Sequence, residues 1–549
     1  MQQIERYGSI SACPVLGVPM KTNRSISQRY WVIITVILPV ILLGGCISKE
    51  TIKIPLSDPL PHPKLAQMRS LPIEEKDGVI YFGKSNKCTK RAITIISLKG
   101  EPYEVGYAHG VLLKDEMMPW IKEALYWMKA QSFGTSRLKN VLLDRAKEVE
   151  QYIPEKYKTE LKGLAAGSGI DYHLILMINT ASTTGWRYLS CTSVAVKGQD
   201  GKIIRSRGLE FQLGQGPEIL KPKILIINQP SQGYAFASVT VPGLIGVWTA
   251  MNETGLNLGT HAIAGAPFHW KGMPYDILYR KITENASSVE EVGEILEKAR
   301  RSLPQMIMVT DVRKARNYEF DSANVGFRDM DEDGLVLTNF TQVLDIGMDY
   351  HCRRYLAASS FLNDNRNNFD IGKILGLVRN DAISCIGSPN TQSYHSAIFV
   401  PETLDFWIAV GPSPANRGRW VGFNLKKEID GSGHDPHPLI IPAMSEIITA
   451  TVKINEAEPW TGKWKVESNS QGGGIWAMKQ EAEIVKSTRE SAYEFKGKIR
   501  GNQLKGKLVG ASGSYDPFMI ELLSDSMSFK GTVDMATGRT NHLRGKRIE

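Results

Sequence analysis

The twenty-one residues from Cys191 to Phe211, CTSVAVKGQDGKIIRSRGLEF, constrain this chain more than any other stretch. Cys-Thr-Ser-Val-Ala-Val reads as a strand, Gly198-Gln199-Asp200-Gly201 as a turn, and Lys202 to Phe211 as the returning strand. A symmetric turn sets residue 191 opposite residue 208 and brings Arg207 and Glu210 back beside Cys191. A thiol, a guanidinium and a carboxylate at one end of a hairpin point to a nucleophile being made, not to a core being packed.

The flanks of the hairpin suggest its setting. A strand over 92–98 precedes helical segments near 103–130, 137–150, 154–168 and 172–182. Leu164-Ala-Ala-Gly-Ser-Gly169 is a small-residue helix exit suited to tight packing or a C-cap. Strands follow at 223–228, 234–241, 243–251 and 256–262, then one or two amphipathic helices over 274–302. Further strands fall at 305–311, 317–320, 335–340, 394–400 and 405–410, with a helical insert near 352–363. Strand runs enclosed by helical runs suggest layers in the order helix, sheet, sheet, helix. From Trp460 to Glu549 short Lys-, Gly- and aromatic-rich strands recur with no helical pattern, which reads as a small up-and-down barrel or sandwich.

The N-terminus bears on location. Lys21, Arg24 and Arg29 precede an apolar run, Trp31 to Leu43, that is short for a bilayer and ends in Leu43-Gly44-Gly45-Cys46. Small residues before a cysteine resemble the lipobox of prokaryotic lipoproteins, with Cys46 acylated as the first mature residue. An uncleaved membrane anchor is the alternative. Either way the bulk of the chain is expected outside the cytoplasm, tethered to a membrane. The expected division is 1–45 signal, 46–86 linker, 87–445 catalytic domain and 456–549 C-terminal β-domain. A net charge of +9 over 549 residues, scattered rather than clustered, gives nucleic-acid binding little support. Six dispersed cysteines with no CxxC pair argue against a disulfide framework, although Cys352 and Cys385 can pair outside the cytoplasm. His434-Asp-Pro-His437 sits in a Gly/Pro loop without further ligands and reads as solvated loop, and His109 reads as structural.

If the peptide bond between Ser190 and Cys191 is broken, Cys191 carries a thiol and a free α-amine. Such an amine, with a reference pKa of about 7.7–8, is a general base for its own sulfur. Arg207 favours the thiolate and keeps the amine neutral, and Glu210 can orient that amine and the guanidinium. The same sulfur can attack the Ser190 carbonyl and so cleave the chain itself. None of the ten histidines is called on.

Several segments carry a resemblance. They are Gly100-Glu-Pro-Tyr-Glu-Val-Gly-Tyr-Ala-His-Gly110, Glu160-Leu-Lys-Gly-Leu-Ala-Ala-Gly-Ser-Gly-Ile170, Cys191-Thr-Ser, Arg207-Gly-Leu-Glu-Phe211, Met251-Asn-Glu-Thr-Gly-Leu256, Leu337-Thr-Asn339 and Ser396-Ala-Ile-Phe-Val400. In this order they resemble the penicillin acyltransferase family of N-terminal-nucleophile hydrolases and, more distantly, choloylglycine hydrolases and acid ceramidases. The resemblance spans most of residues 95–425. It implies a four-layer αββα Ntn-hydrolase sandwich, here with the appended all-β domain, and an autoproteolytic amidohydrolase or acyltransferase. By the same resemblance Cys191 is the nucleophile, Arg207 the following arginine, Glu210 the carboxylate and Asn339 the residue holding the site and the oxyanion. Arg354, with Arg353 adjacent, matches a late family arginine. The carboxylate is usually aspartate and the residue before the cysteine often glycine, so Glu210 and Ser190 depart from the pattern. The implied partner is a small acyl amide or acyl thioester, with no metal or organic cofactor.

Competing readings stay open at this level. Cys191 alone also fits a buried structural thiol, and Asn339-Phe-Thr also fits a glycosylation acceptor. A histidine-dependent cysteine hydrolase and a non-catalytic surface-binding lipoprotein are the rival functions. Arg205 and Arg207 share a strand face, which suggests an internal electrostatic task.

Overall fold

The computed structural model describes residue 50 and residues 52–548, apart from 133, 185–188, 213–222, 268, 348–351, 381–382, 384–390, 412–413, 445–458, 470–472, 489–490, 501, 510–514, 524–526 and 535–539. The signal, the lipobox with Cys46, the joint near 446–458 and Cys385 of the suggested disulfide lie outside the described residues. No helix among the described residues is long and apolar enough to cross a membrane.

Two sheets form the body. Among the described residues the first has eleven strands, from Ile73–Lys76 at one edge to Val325–Asp329 at the other. Its neighbours are antiparallel except for Ile93–Gly100 and Ile224–Pro230, which run parallel. The long connection between those two, holding four helices and the Cys191 hairpin, permits that direction. The second sheet has seven strands, ordered Leu335–Leu337, Leu189–Lys197, Ile203–Gln212, Thr391–Val400, Asp405–Val410, Arg419–Asn424 and Ile440–Ile441.

Alternation of side chains along the strands assigns each face a partner. Ile93, Ile95, Leu225, Ile227 and Val239 of the first sheet pack against Phe399, Phe406, Ile408 and Phe423 of the second. Ile96, Leu98, Ile224, Ile226 and Leu258 turn the other way, onto helices that supply Leu112, Leu161, Leu164, Ile277 and Leu296. The outer face of the second sheet, with Val194, Ile204, Ile398 and Trp420, packs on Ala358 and Leu362 of helix Arg353–Asp364 and on Ile374 and Leu377 of helix Ile371–Arg379. The body is therefore layered helix, sheet, sheet, helix.

Two of the helices show how local sequence fixes the packing. Pro102–Gln131 and Glu155–Ser168 lie backbone against backbone, because a Cβ on Gly163 would stand 2.3 Å from the Tyr103 carbonyl oxygen and one on Gly167 2.1 Å from that of Tyr107. The second of them ends at Gly169 with φ 74°, so the small-residue exit serves both tight packing and the cap.

Two expectations need correction. Residues 46–86 are not a linker throughout: Leu65–Ser70 is helical, and Ile73–Lys76, Val79–Phe82 and Ser85–Lys90 pair in succession at the edge of the first sheet. Short hairpins made this register possible, with Asp77 and Gly78 both at positive φ, while the charged, exposed first strand hid the pattern. Pro55, before them, is held to the body, where Asp171 N donates to Pro55 O at 3.0 Å. The strand expected over 243–251 is confined to Thr249–Asn252, because the Pro242-Gly243 turn precedes a segment held by side chains of the helices.

Trp460 onward forms a closed eight-strand barrel. Gly462–Ser468 pairs with Thr540–Arg547 to close it around Trp464, Trp476, Phe495, Phe518 and Phe529.

Candidate active site

The register of the Cys191 hairpin differs by one from a symmetric four-residue turn. Cys191 pairs with Leu209, because the loop also takes in Lys202: Gly198 N donates to Lys202 O at 2.8 Å and Gly201 N to Gly198 O at 2.9 Å. One residue of slip reverses which side chains share a face. Cys191 and Ser193 therefore share a face with Leu209, Arg207 and Arg205, whereas Glu210 stands opposite Ser190 on the other face, with Thr192. Glu210 accordingly lies not beside the thiol but beside the Ser190–Cys191 peptide, with its Oε2 3.5 Å from Arg354 Nη1.

A polar cradle surrounds that peptide. Cys191 N donates to Asn339 Oδ1 at 2.9 Å, and the same oxygen accepts from Arg354 Nη2 at 2.8 Å. Arg354 Nη1 donates to the Cys191 carbonyl at 2.6 Å and to Thr192 Oγ1 at 2.8 Å. Asn339 is itself held at both ends, Nδ2 donating to Ala262 O at 2.7 Å and its carbonyl accepting from Ala264 N at 2.9 Å. The short strand Leu335–Leu337 beside the hairpin delivers Asn339, and the first turn of helix Arg353–Asp364 delivers Arg354. Between the two candidate arginines, Arg354 makes these contacts.

Arg207 takes the side-chain end of Cys191. Its charge favours the ionised thiol, while its Nη1 donates to Gly208 O and its Nη2 to Thr260 O, the latter at 2.6 Å. Burial pushes the Cys191 thiol up from its ordinary value; Arg207 and Arg354 oppose the rise and Glu210 adds to it. Arg205 lies behind Arg207, its Nη1 donating to Asn257 Oδ1 at 2.9 Å and its Nη2 to Ser193 Oγ at 3.4 Å. Both guanidinium stems cross above Gly259, where a Cβ would lie 2.5 Å from Arg205 and 2.7 Å from Arg207. Only a residue without a side chain leaves that passage open.

Four residues near the thiol were given no role in the sequence reading. Tyr275 and Tyr279, both fully buried on helix Tyr275–Asn285, feel the charge of Cys191, and burial holds both phenols well above their ordinary value. Thr260 supplies the acceptor for Arg207, and Thr192 an acceptor for Arg354. The sequence signals were the place of Thr192 in the Cys191-Thr-Ser motif and Gly259 beside Thr260, a strand glycine that marks a close approach.

The histidines are otherwise engaged. His261 Nδ1 pairs with Gly259 O at 3.1 Å and His395 Nε2 with Thr249 Oγ1 at 2.8 Å, and burial with Arg207 nearby draws both well below the usual histidine range. Neither hydrogen-bonds Cys191 among the described residues. His109 accepts from Gly243 N at 2.9 Å, and burial lowers it to about 3, a structural role. His434 contacts Asp405, and no group of metal-ligating side chains is found among the described residues.

Two buried sheets between helices, with a cysteine on the second strand of one sheet and its backbone nitrogen held by an asparagine, define an α+β class of layered protein. Residues 217–369 match the family model described as acyl-coenzyme A:6-aminopenicillanic acid acyl-transferase, which bears out the resemblance read from the sequence. The match begins beyond Cys191, Arg207 and Glu210 and takes in Asn339 and Arg354. A protein of Archaeoglobus fulgidus is 26% identical over 249 residues, 40% of this chain and 41% of that one. The acyl-coenzyme A:6-aminopenicillanic-acid-acyltransferase 40 kDa form of Emericella nidulans is 23% identical over 246 residues, covering 44% and 67%. The N-acylethanolamine-hydrolyzing acid amidase of Caenorhabditis elegans is 24% identical over 284 residues, covering 47% and 77%. The chain thus spans less than half the length of the first of these relatives. An acyltransferase and an amidase among the relatives bear out the expectation of an enzyme.

Proposed function

We propose that this protein is a self-activating cysteine Ntn-hydrolase that cleaves or transfers the acyl group of small non-peptide amides. One observation carries the reading: the backbone nitrogen of Cys191 already sits in the Asn339–Arg354 cradle that a free α-amine would need. In maturation the Cys191 sulfur attacks the Ser190 carbonyl, the thiol proton passes to the departing nitrogen, and water resolves the thioester. That leaves a carboxylate on Ser190 and an amine on Cys191.

In turnover the amine takes the thiol proton while the sulfur attacks the substrate carbonyl, and returns it to the leaving amine. The Arg354 guanidinium, sharing Asn339 Oδ1 with that amine, disfavours an ammonium there and keeps the base neutral. Arg207 supports the thiolate against the cost of burial. Asn339 Nδ2 donates to Ala262 O, which fixes the side-chain amide to which the family resemblance assigns the oxyanion. Water or an amine acceptor then resolves the acyl-enzyme. His261 and His395 are bonded to Gly259 and Thr249 and not to the thiol, which favours the amine over a histidine as base.

Acyl amides or thioesters are proposed as substrates by analogy with the two relatives, an acyl-coenzyme A acyltransferase and an N-acylethanolamine-hydrolyzing amidase. Export and tethering through an acylated Cys46 complete the proposal, on the strength of the lipobox-like Leu43-Gly44-Gly45-Cys46. Intact-mass spectrometry tests the core of it. Active protein should separate into a piece ending at Ser190 and a piece beginning at Cys191, with Cys191→Ala whole and inactive on a panel of N-acyl amides. Full activity from an unbroken chain defeats the reading.

A further inference from the structure

Adjacent strands of the C-terminal barrel set lysines directly opposite one another. Lys479 faces Lys486, Lys486 faces Lys496, and Lys496 faces Lys507, a row crossing four strands. Lys498 and Lys505 form a second pair on the same two central strands. All six are exposed, while Phe495, Leu504 and Leu508 between them turn inward. Like charges directly opposite on a sheet destabilise it, so this arrangement opposes the fold that carries it. Glu481 offsets Lys479 and Lys486, at 3.5 and 3.2 Å, and Glu483 offsets Lys498 at 3.0 Å. Lys496, Lys505 and Lys507 have no ion-pair partner among the described residues.

Five of these lysines border an open groove of about 890 Å³. Tyr493, Ser487, Thr488 and Ser491 also line it, and Glu494 is its single acid. We propose that this groove binds a linear acidic polysaccharide. Cations repeated at the inter-strand spacing of about 4.8 Å match anionic groups repeated along a polymer. The tyrosine ring offers a face for sugar stacking, and the hydroxyls offer partners for sugar hydroxyls. Concavity favours a strand of polymer over a flat bilayer, which meets only the rim of a groove. The proposal is independent of the chemistry at Cys191.

Binding of the full chain to polygalacturonate, with dextran as neutral control and phosphatidylglycerol vesicles as the membrane arm, tests it. Wild type should bind polygalacturonate, not dextran, with an affinity that falls as salt rises. Changing Lys496, Lys498, Lys505 and Lys507 together to Gln should weaken binding at least about tenfold. The same variant should melt no lower than wild type, because opposed charges are removed. Changing Lys465, Lys530, Arg544 and Lys546 to Gln removes equal charge from other strands and should alter binding by less than about threefold. If the fourfold groove variant does not fold, Lys505→Gln with Lys507→Gln gives the same readout. Equal loss in the groove and control variants, binding to vesicles but not to polygalacturonate, or no binding to polygalacturonate overturns the proposal.

Discussion

Arg205 and Arg207 are both fully buried, one behind the other, and no carboxylate is bonded to either among the described residues. Burial, with Arg207 beside it, draws the Arg205 guanidinium well below its ordinary value. Holding two such cations in a dry layer is costly unless an anion joins them. In the proposed mechanism the Cys191 thiolate is that anion, and Arg205 helps by bonding Asn257 and Ser193, leaving Arg207 to the thiol. Removing either cation should therefore make the thiolate harder to form. The pH midpoint for alkylation of Cys191 by iodoacetamide should rise by about one to two units in Arg207→Met and by less in Arg205→Met. An unmoved midpoint in a folded Arg207→Met would refute the pairing. At Glu210 the shorter Glu210→Asp side chain tests the contact with Arg354 instead. Slower maturation on a time-resolved denaturing gel, with the alkylation midpoint unchanged, is the outcome expected of a group that serves the peptide and not the sulfur.

Between elements, Asp276 joins the helix Tyr172–Thr184, which precedes the Cys191 strand, to the helix Tyr275–Asn285. The Ser182 hydroxyl donates to its carboxylate, Trp248 Nε1 donates at 3.2 Å, and Tyr275 N donates to Thr183 Oγ1 at 3.2 Å alongside. Burial raises Asp276 to about 7, with Ser182 and Trp248 opposing. A carboxyl raised on folding binds its proton more tightly in the folded state. Its contribution is complete below the unfolded value near 4 and is lost as pH rises through about 7. Asp276→Asn should flatten that pH dependence and be on the order of 2–4 kcal/mol more stable than wild type above pH 8, with little difference at pH 4. Urea denaturation at the two pH values measures it. The paired helices give a second expectation: Gly167→Ala forces a methyl against the Tyr107 backbone and should cost about 1–3 kcal/mol, read as a lower Tm.

For the whole molecule, catalytic body and barrel are proposed as separate units joined within 446–458. Proteolysis confined to that stretch should leave amide turnover intact while abolishing retention on polygalacturonate; loss of turnover would tie the barrel to catalysis. The long helices, the buried strands and the barrel were legible because their apolar period exceeds every competing pattern, as in Ile93–Gly100 and Pro102–Gln131. The edge strand Ile73–Lys76 and the four-residue barrel strand Ile484–Ser487 were not, since short or exposed strands carry little apolar alternation. The amino acids themselves determined which groups can do chemistry: a thiol, two arginines and a carboxylate within one hairpin, and an asparagine far along the chain. The tertiary structure decided which of them meet. A five-residue loop turned Glu210 away from the sulfur, the neighbouring sheet placed Gly259 and Thr260 against Arg207, and a helix brought Arg354 to the peptide. Sequence fixes local preference and spacing, but side-chain direction in a sheet reverses with each residue of register, and register is set by partners distant in the chain.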